Sequence, residues 1–117
     1  MIWKTLETNM RLEVQEILED KSALLTQNYF RLQQLFEEKY GNDTIVLMEI
    51  GTFFEVYEVN NDEEQIGKAR EIAELLNIQL TRKNKSILEN NQSNPLMAGV
   101  PAVSFEKHIN RIIQEQK

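Results

Sequence analysis

Thr44-Ile45-Val46-Leu47-Met48-Glu49-Ile50-Gly51-Thr52-Phe53-Phe54-Glu55-Val56-Tyr57-Glu58-Val59 is the stretch that decides how this chain folds. Residues 44–50 form an almost wholly apolar run, rich in β-branched side chains, with turn formers at Asn42-Asp43 and Gly51-Thr52. Such a run reads as a buried strand. Aromatic and β-branched residues resume over 53–59, so a second strand is expected, hairpin-paired with the first. Side chains alternate across a strand, which puts residues 53, 55 and 57 on one face. Phe53 and Phe54 therefore cannot both enter one core face, and one ring must turn outward or toward a partner. On the residues alone, an aromatic pair in a strand is more often cross-strand packing than a functional site.

Working outward, apolar residues at Leu25, Tyr29, Leu32, Phe36 and Tyr40 recur at helical spacing, and Gly41 supplies a stop. An earlier stripe, Leu6, Met10, Val14, Ile17 and Leu18, with acids on the other side, predicts an amphipathic helix before it. Downstream, Asn61 with Glu64 three residues later resembles a capping box, so a third helix is expected through Ile66, Ala69, Ile72, Ala73 and Leu76. A short strand over Ile78-Gln79-Leu80-Thr81 follows, then a polar, mobile loop over 82–94. Leu96 to Val100 reads as a strand ended by Pro101, and Ser104 as the cap of a last helix through Phe105, Ile109, Ile112 and Ile113. This order predicts an α/β (α+β) fold, a mixed β-sheet packed with helices and preceded by an extra amino-terminal helix. A sheet that ends on a helix has room for a further strand, so the carboxy-terminal strand or strands are expected to be missing.

Composition narrows the function. A chain of 117 residues with 41% hydrophobic and 27% charged residues is sized for one globular domain. Cysteine is absent, which removes disulfides and thiolate metal sites. Neither the amino terminus nor any later run has the apolar length of a signal or a membrane span, so a cytoplasmic protein without membrane contact is expected. The formal net charge of −6 opposes binding to phosphates, which is driven by Lys and Arg. Phosphate-loop, HExxH and GxSxG motifs are all missing. The one histidine, His108, reads as an ordinary helical residue, and Glu13, Glu16, Glu19, Asp20, Glu37 and Glu38 as solvated helix faces. Glu49, Glu55 and Asp62 are not spaced as a nuclease metal cluster. No catalytic, metal or cofactor residue is therefore expected.

From about Leu25 to its end the chain resembles the amino-terminal mismatch-recognition domain, domain I, of the MutS family of DNA mismatch repair proteins. The aromatic-bearing helix is matched by Leu25-Thr26-Gln27-Asn28-Tyr29-Phe30, and the wedge motif by Met48-Glu49-Ile50-Gly51-Thr52-Phe53-Phe54-Glu55-Val56-Tyr57. Ala73-Glu74-Leu75-Leu76-Asn77-Ile78-Gln79-Leu80-Thr81 and Met97-Ala98-Gly99-Val100-Pro101 follow in the family's order. The chain also departs from the pattern. Thr52 stands where aspartate is usual, and Ala102-Val103 replaces a pair whose second member is commonly a histidine or arginine near the DNA backbone. This resemblance implies a divergent member, with residues 1–24 as a helical extension and 25–117 as the recognition domain.

By the same resemblance, Phe53 is the ring that enters the base stack and Glu55 the acid that hydrogen-bonds the base. A mispair stacks poorly, so opening its step costs less than the few kcal/mol, roughly, of an intact one. A flat apolar ring recovers about 1–3 kcal/mol by stacking on any base. Near phosphates a carboxylate is repelled and desolvated, which favours an acid able to donate to a purine N7, while its charge discourages insertion at normal pairs. Arg82, Lys83 and Lys85 form the one basic cluster, either phosphate contacts or a solubilising loop. The implied partners are duplex DNA with mismatches or small loops, the remaining domains of a longer parent, and a dimer partner. ATP and Mg belong to that parent and not to this chain. The rival reading is a protein-interaction module of a MutS-related ATPase, without mismatch specificity.

Overall fold

The computed structural model describes residues 8–108 and 110. Two helices come first, α1 (Thr8–Glu19) and α2 (Leu25–Tyr40). Leu24 has no side chain with which to cap α2, and Gln27 compensates: its amide oxygen accepts from the Leu24 N–H at 2.9 Å. Gly41, with φ at +101°, ends the helix as its position in the sequence demands, donating its N–H to Glu37 O at 2.8 Å. Strands β1 (Met48–Ile50), β2 (Phe53–Asn60) and β3 (Gln65–Gly67) follow, then α3 (Ala69–Leu76), β4 (Thr81–Arg82) and β5 (Leu96–Pro101). A 3-10 turn at Ala102–Ser104 leads into helix at 105–108. Residues 109 and 111–117, on which Ile109, Ile112 and Ile113 of the last expected helix fall, lie outside the described residues, as does Leu6 of the first stripe.

β2 is the spine. Its start pairs with β1, its end with β3, and its other edge with β5 from Phe53↔Pro101 to Glu58↔Leu96. β4 completes the sheet beside β5. Alternation along β2 divides the core between two faces. Tyr57 and Val59 meet Tyr29, Phe30 and Phe36 of α2, with Val14 of α1 behind them. Phe54 and Val56 meet Ile72, Ala73 and Leu76 of α3, with Ala98 and Val100 of β5. The layers are thus helix, sheet and helix, and each buried Phe, Val or Leu contributes about 1.5–3 kcal/mol by leaving water.

The α/β class is as expected, but several elements are not. Every sheet pairing among the described residues is antiparallel, where a mixed sheet was expected, because α3 leads into β4 along the direction of β2 and the loop after β4 then turns the chain back into β5, which lies between them. The expected strand over 44–50 shrinks to β1, since α2 side chains take the backbone groups a neighbouring strand would use. The Gln33 amide donates to Thr44 O at 2.8 Å and accepts from Val46 N at 3.1 Å, and Tyr29 Oη donates to Val46 O at 2.6 Å. Asn61 does bind the backbone N–H groups of Glu63 and Glu64, both at 2.8 Å, but to close the β2–β3 hairpin, so the helix begins only at Ala69. The strand expected at 78–81 is reduced to β4, because Ile78 N–H still serves Ala73 O at the end of α3, where Asn77 is left-handed. The polar loop is internally tied: the Asn94 amide donates to Glu89 O at 2.9 Å and Ile87 O at 3.2 Å, and its oxygen accepts from Asn84 N at 2.8 Å. On α1, Val14 is buried while Leu18 turns to solvent.

Candidate functional site: a nucleic-acid interface at the start of β2

Ile50 and Phe53 are register partners, so Gly51 and Thr52 are the whole turn between β1 and β2. Gly51 sits at φ +57°, which glycine adopts without penalty, and the tight turn delivers two aromatics at the first positions of β2. Phe54 goes inward, its ring 4.5 Å from that of Phe105. Phe53 goes outward and is 44% exposed. The pair splits as alternation requires, and the outward member is the one the resemblance assigns to the base stack.

Glu55 lies two residues on, half-buried, on the same face as Phe53. Across the sheet stands Gly99, its register partner. A side chain there would come within 3.4 Å of Glu55 Cγ and 3.9 Å of Phe53 Cδ1, so glycine is the floor over which both lie. Phe53, Glu55 and Gly99 share a shallow open recess with Gln79, Thr81 and Lys85. Glu55 Oε1 accepts a short hydrogen bond from Tyr57 Oη. Burial, and then the neighbouring Glu55 carboxylate, push the Tyr57 phenol above its usual range, so it stays a donor.

The basic loop divides. Lys83 extends Nζ to 5.4 Å from the centroid of the Tyr57 ring, on the recess face, and Lys85 lines the recess itself. Arg82 turns back on its own loop: Nη2 donates to Lys85 O at 2.9 Å, and Nε is buried without a partner. Glu49 pairs with Phe54 and so faces away from Glu55, while Asp62 lies in the turn beyond the far end of β2. Among the described residues no group of acids and histidines is placed to hold a metal ion.

Tyr57 and Gly99 are the participants that sequence reasoning missed as such. The period-two spacing from Phe53 through Glu55 already placed Tyr57 on the face, whereas the position of Gly99 required the strand register. One more apolar residue joins this end. Ala102 N–H donates to Thr52 O at 2.7 Å, fixing the 3-10 turn beside the β1–β2 turn, and Val103 on it is 98% exposed. No helix of the described residues is long and apolar enough to cross a membrane.

No curated protein matches the chain. The family profile described as MutS domain I does match, over residues 25–117, covering every element from α2 onward, the Phe53 and Glu55 face included. The chain belongs to the MutS domain I family, the mismatch-recognition, DNA-binding domain of mismatch repair proteins.

Proposed function

We propose that the chain senses mispaired or unpaired bases by inserting the Phe53 ring into the base stack while Glu55 hydrogen-bonds the base beside it. The observation that carries this reading is an aromatic ring left 44% exposed at the end of a strand whose next residue is locked into the core. An exposed ring on a paired strand is held rigid, so little ordering is lost when it stacks. A wedge with no hydrogen-bonding preference tolerates many mispairs, because what it tests is how easily the step opens. Glu55 supplies the polar check, meeting a base edge at a lesion and repelling an intact stack. Lys83 and Lys85 meet flanking phosphates, with Arg82 bracing the loop that presents them. The domain itself is non-catalytic. Other domains of a longer parent and a dimer partner share the grip on DNA, and ATP with Mg acts there.

The test is binding of mismatched and matched duplexes, with a fluorescent base beside the lesion, to the protein as it is made in the cell, before and after Phe53→Ala. Loss of mismatch preference and of the unstacking signal is expected. Preserved preference in the variant would refute the wedge. The rival reading, a protein-interaction module, draws on Leu12 and Leu18, which α1 leaves about half exposed. It requires Leu12→Ala with Leu18→Ala to abolish capture of a protein partner while the preference between duplexes is unchanged.

A further inference from the structure

Tyr57 is wholly buried, yet it carries a hydroxyl, and its ring is held from two sides. Tyr29 packs perpendicular to it at 4.8 Å between centroids and 86° between planes, and Lys83 Nζ lies over it at 5.4 Å. Tyr29 is itself pinned, its hydroxyl donating to Val46 O at 2.6 Å. A buried phenol held this firmly has no freedom to seek another acceptor, and an unmade hydrogen bond there is costly. The acceptor it has is Oε1 of Glu55. Glutamate on a strand otherwise samples several rotamers, and a charge-assisted O–H to carboxylate bond is among the strongest devices for choosing one.

We propose that Tyr57 is a positioning residue for base recognition: its hydroxyl holds Oε1 of Glu55 and leaves Oε2 as the carboxyl oxygen presented to a base beside Phe53. This rests on the reading of Phe53 and Glu55 given above and adds to it a residue that touches no DNA. With Oε1 engaged as an acceptor, Oε2 is the oxygen left to meet the base edge. Tyr57 therefore selects both the direction of the carboxyl group and the oxygen that does the reading.

The experiment measures the ratio of affinities for mismatched and matched duplex in the protein as it is made in the cell. Wild type, Tyr57→Phe, Glu55→Ala, the double variant and Phe53→Ala are compared, with the unfolding temperature of each recorded. Tyr57→Phe keeps the ring and removes the hydroxyl, and is expected to lower the ratio about tenfold, the scale of one hydrogen bond to a charged group. In the Glu55→Ala background the same change should lower it no further, because nothing remains to be positioned. A purely structural tyrosine would weaken both duplexes alike and act independently of Glu55. An unchanged ratio in Tyr57→Phe, with the ratio lost in Phe53→Ala, overturns the positioning role and leaves the wedge standing. A ratio kept in Phe53→Ala overturns the wedge, and the positioning role with it. Should Tyr57→Phe fail to fold, NMR of the wild type decides: a slowly exchanging Tyr57 hydroxyl proton must persist on binding mismatched duplex, and its disappearance overturns the proposal.

Discussion

At position 55 two chemistries are combined, charge and hydrogen bonding, and substitution can part them. Glu55→Gln keeps an acceptor for Tyr57 and a group able to bond a base, but removes the charge that repels phosphates. We predict that it tightens matched duplex more than mismatched duplex, so that discrimination falls while total affinity rises, read by anisotropy titrations. Unchanged affinity for both duplexes would remove Glu55 from the recognition step. The two core tyrosines yield a pH prediction. Burial is the leading cause that pushes the phenols of Tyr29 and Tyr57 above their ordinary value of 10.0. Both stay neutral in the folded chain while the unfolded chain ionises, so their contribution is complete below about pH 10 and is lost as pH rises beyond it. Tyrosinate absorbance should then rise together with loss of helical circular dichroism, rather than ahead of it.

Among the elements, α2 and β2 were legible because their apolar periods are long and unbroken, and both occur close to the expected bounds. The shared face of Phe53, Glu55 and Tyr57 was legible for the same reason, since period two alone sets them side by side. What could not be read were segments whose backbone partners come from afar. Residues 44–46 have the composition of a strand, but Gln33 and Tyr29 occupy their polar groups. Gln65 to Gly67 has the spacing of a helix start, but β2 is close enough to pair with it. Gly67 marks how close: at φ +92°, a Cβ would lie 2.2 Å from Tyr57 O. Gly67→Ala should cost about 3 kcal/mol or more through backbone strain and collision. Urea unfolding would show it as a lower midpoint at unchanged slope, and a midpoint within error of wild type would contradict the close approach.

For the whole molecule the governing quantity is a net charge of −6 set against Lys85 in the recess and Lys83 over the Tyr57 ring. Two phosphate contacts imply a slope of about −2 when log affinity is plotted against log salt, far shallower than that of a protein holding DNA by its own charge. We predict feeble binding by the 117-residue chain with that slope, and tight salt-resistant binding would refute the division between recognition here and grip elsewhere. Helix α1 precedes the matched family region, and its packing through Val14 onto α2 lies behind the core rather than at the recess. The opposite end is joined more tightly. The turn carrying Phe53 is bonded to the segment beyond β5, Ala102 N to Thr52 O, and the Phe54 ring packs at a tilt against Phe105. Load placed on the probe by a stiff duplex therefore passes straight into residues 102–108 with no slack joint between. On the wedge reading, amide exchange there should slow when a mismatched oligonucleotide is bound, and unchanged exchange would show that the load stops at the turn.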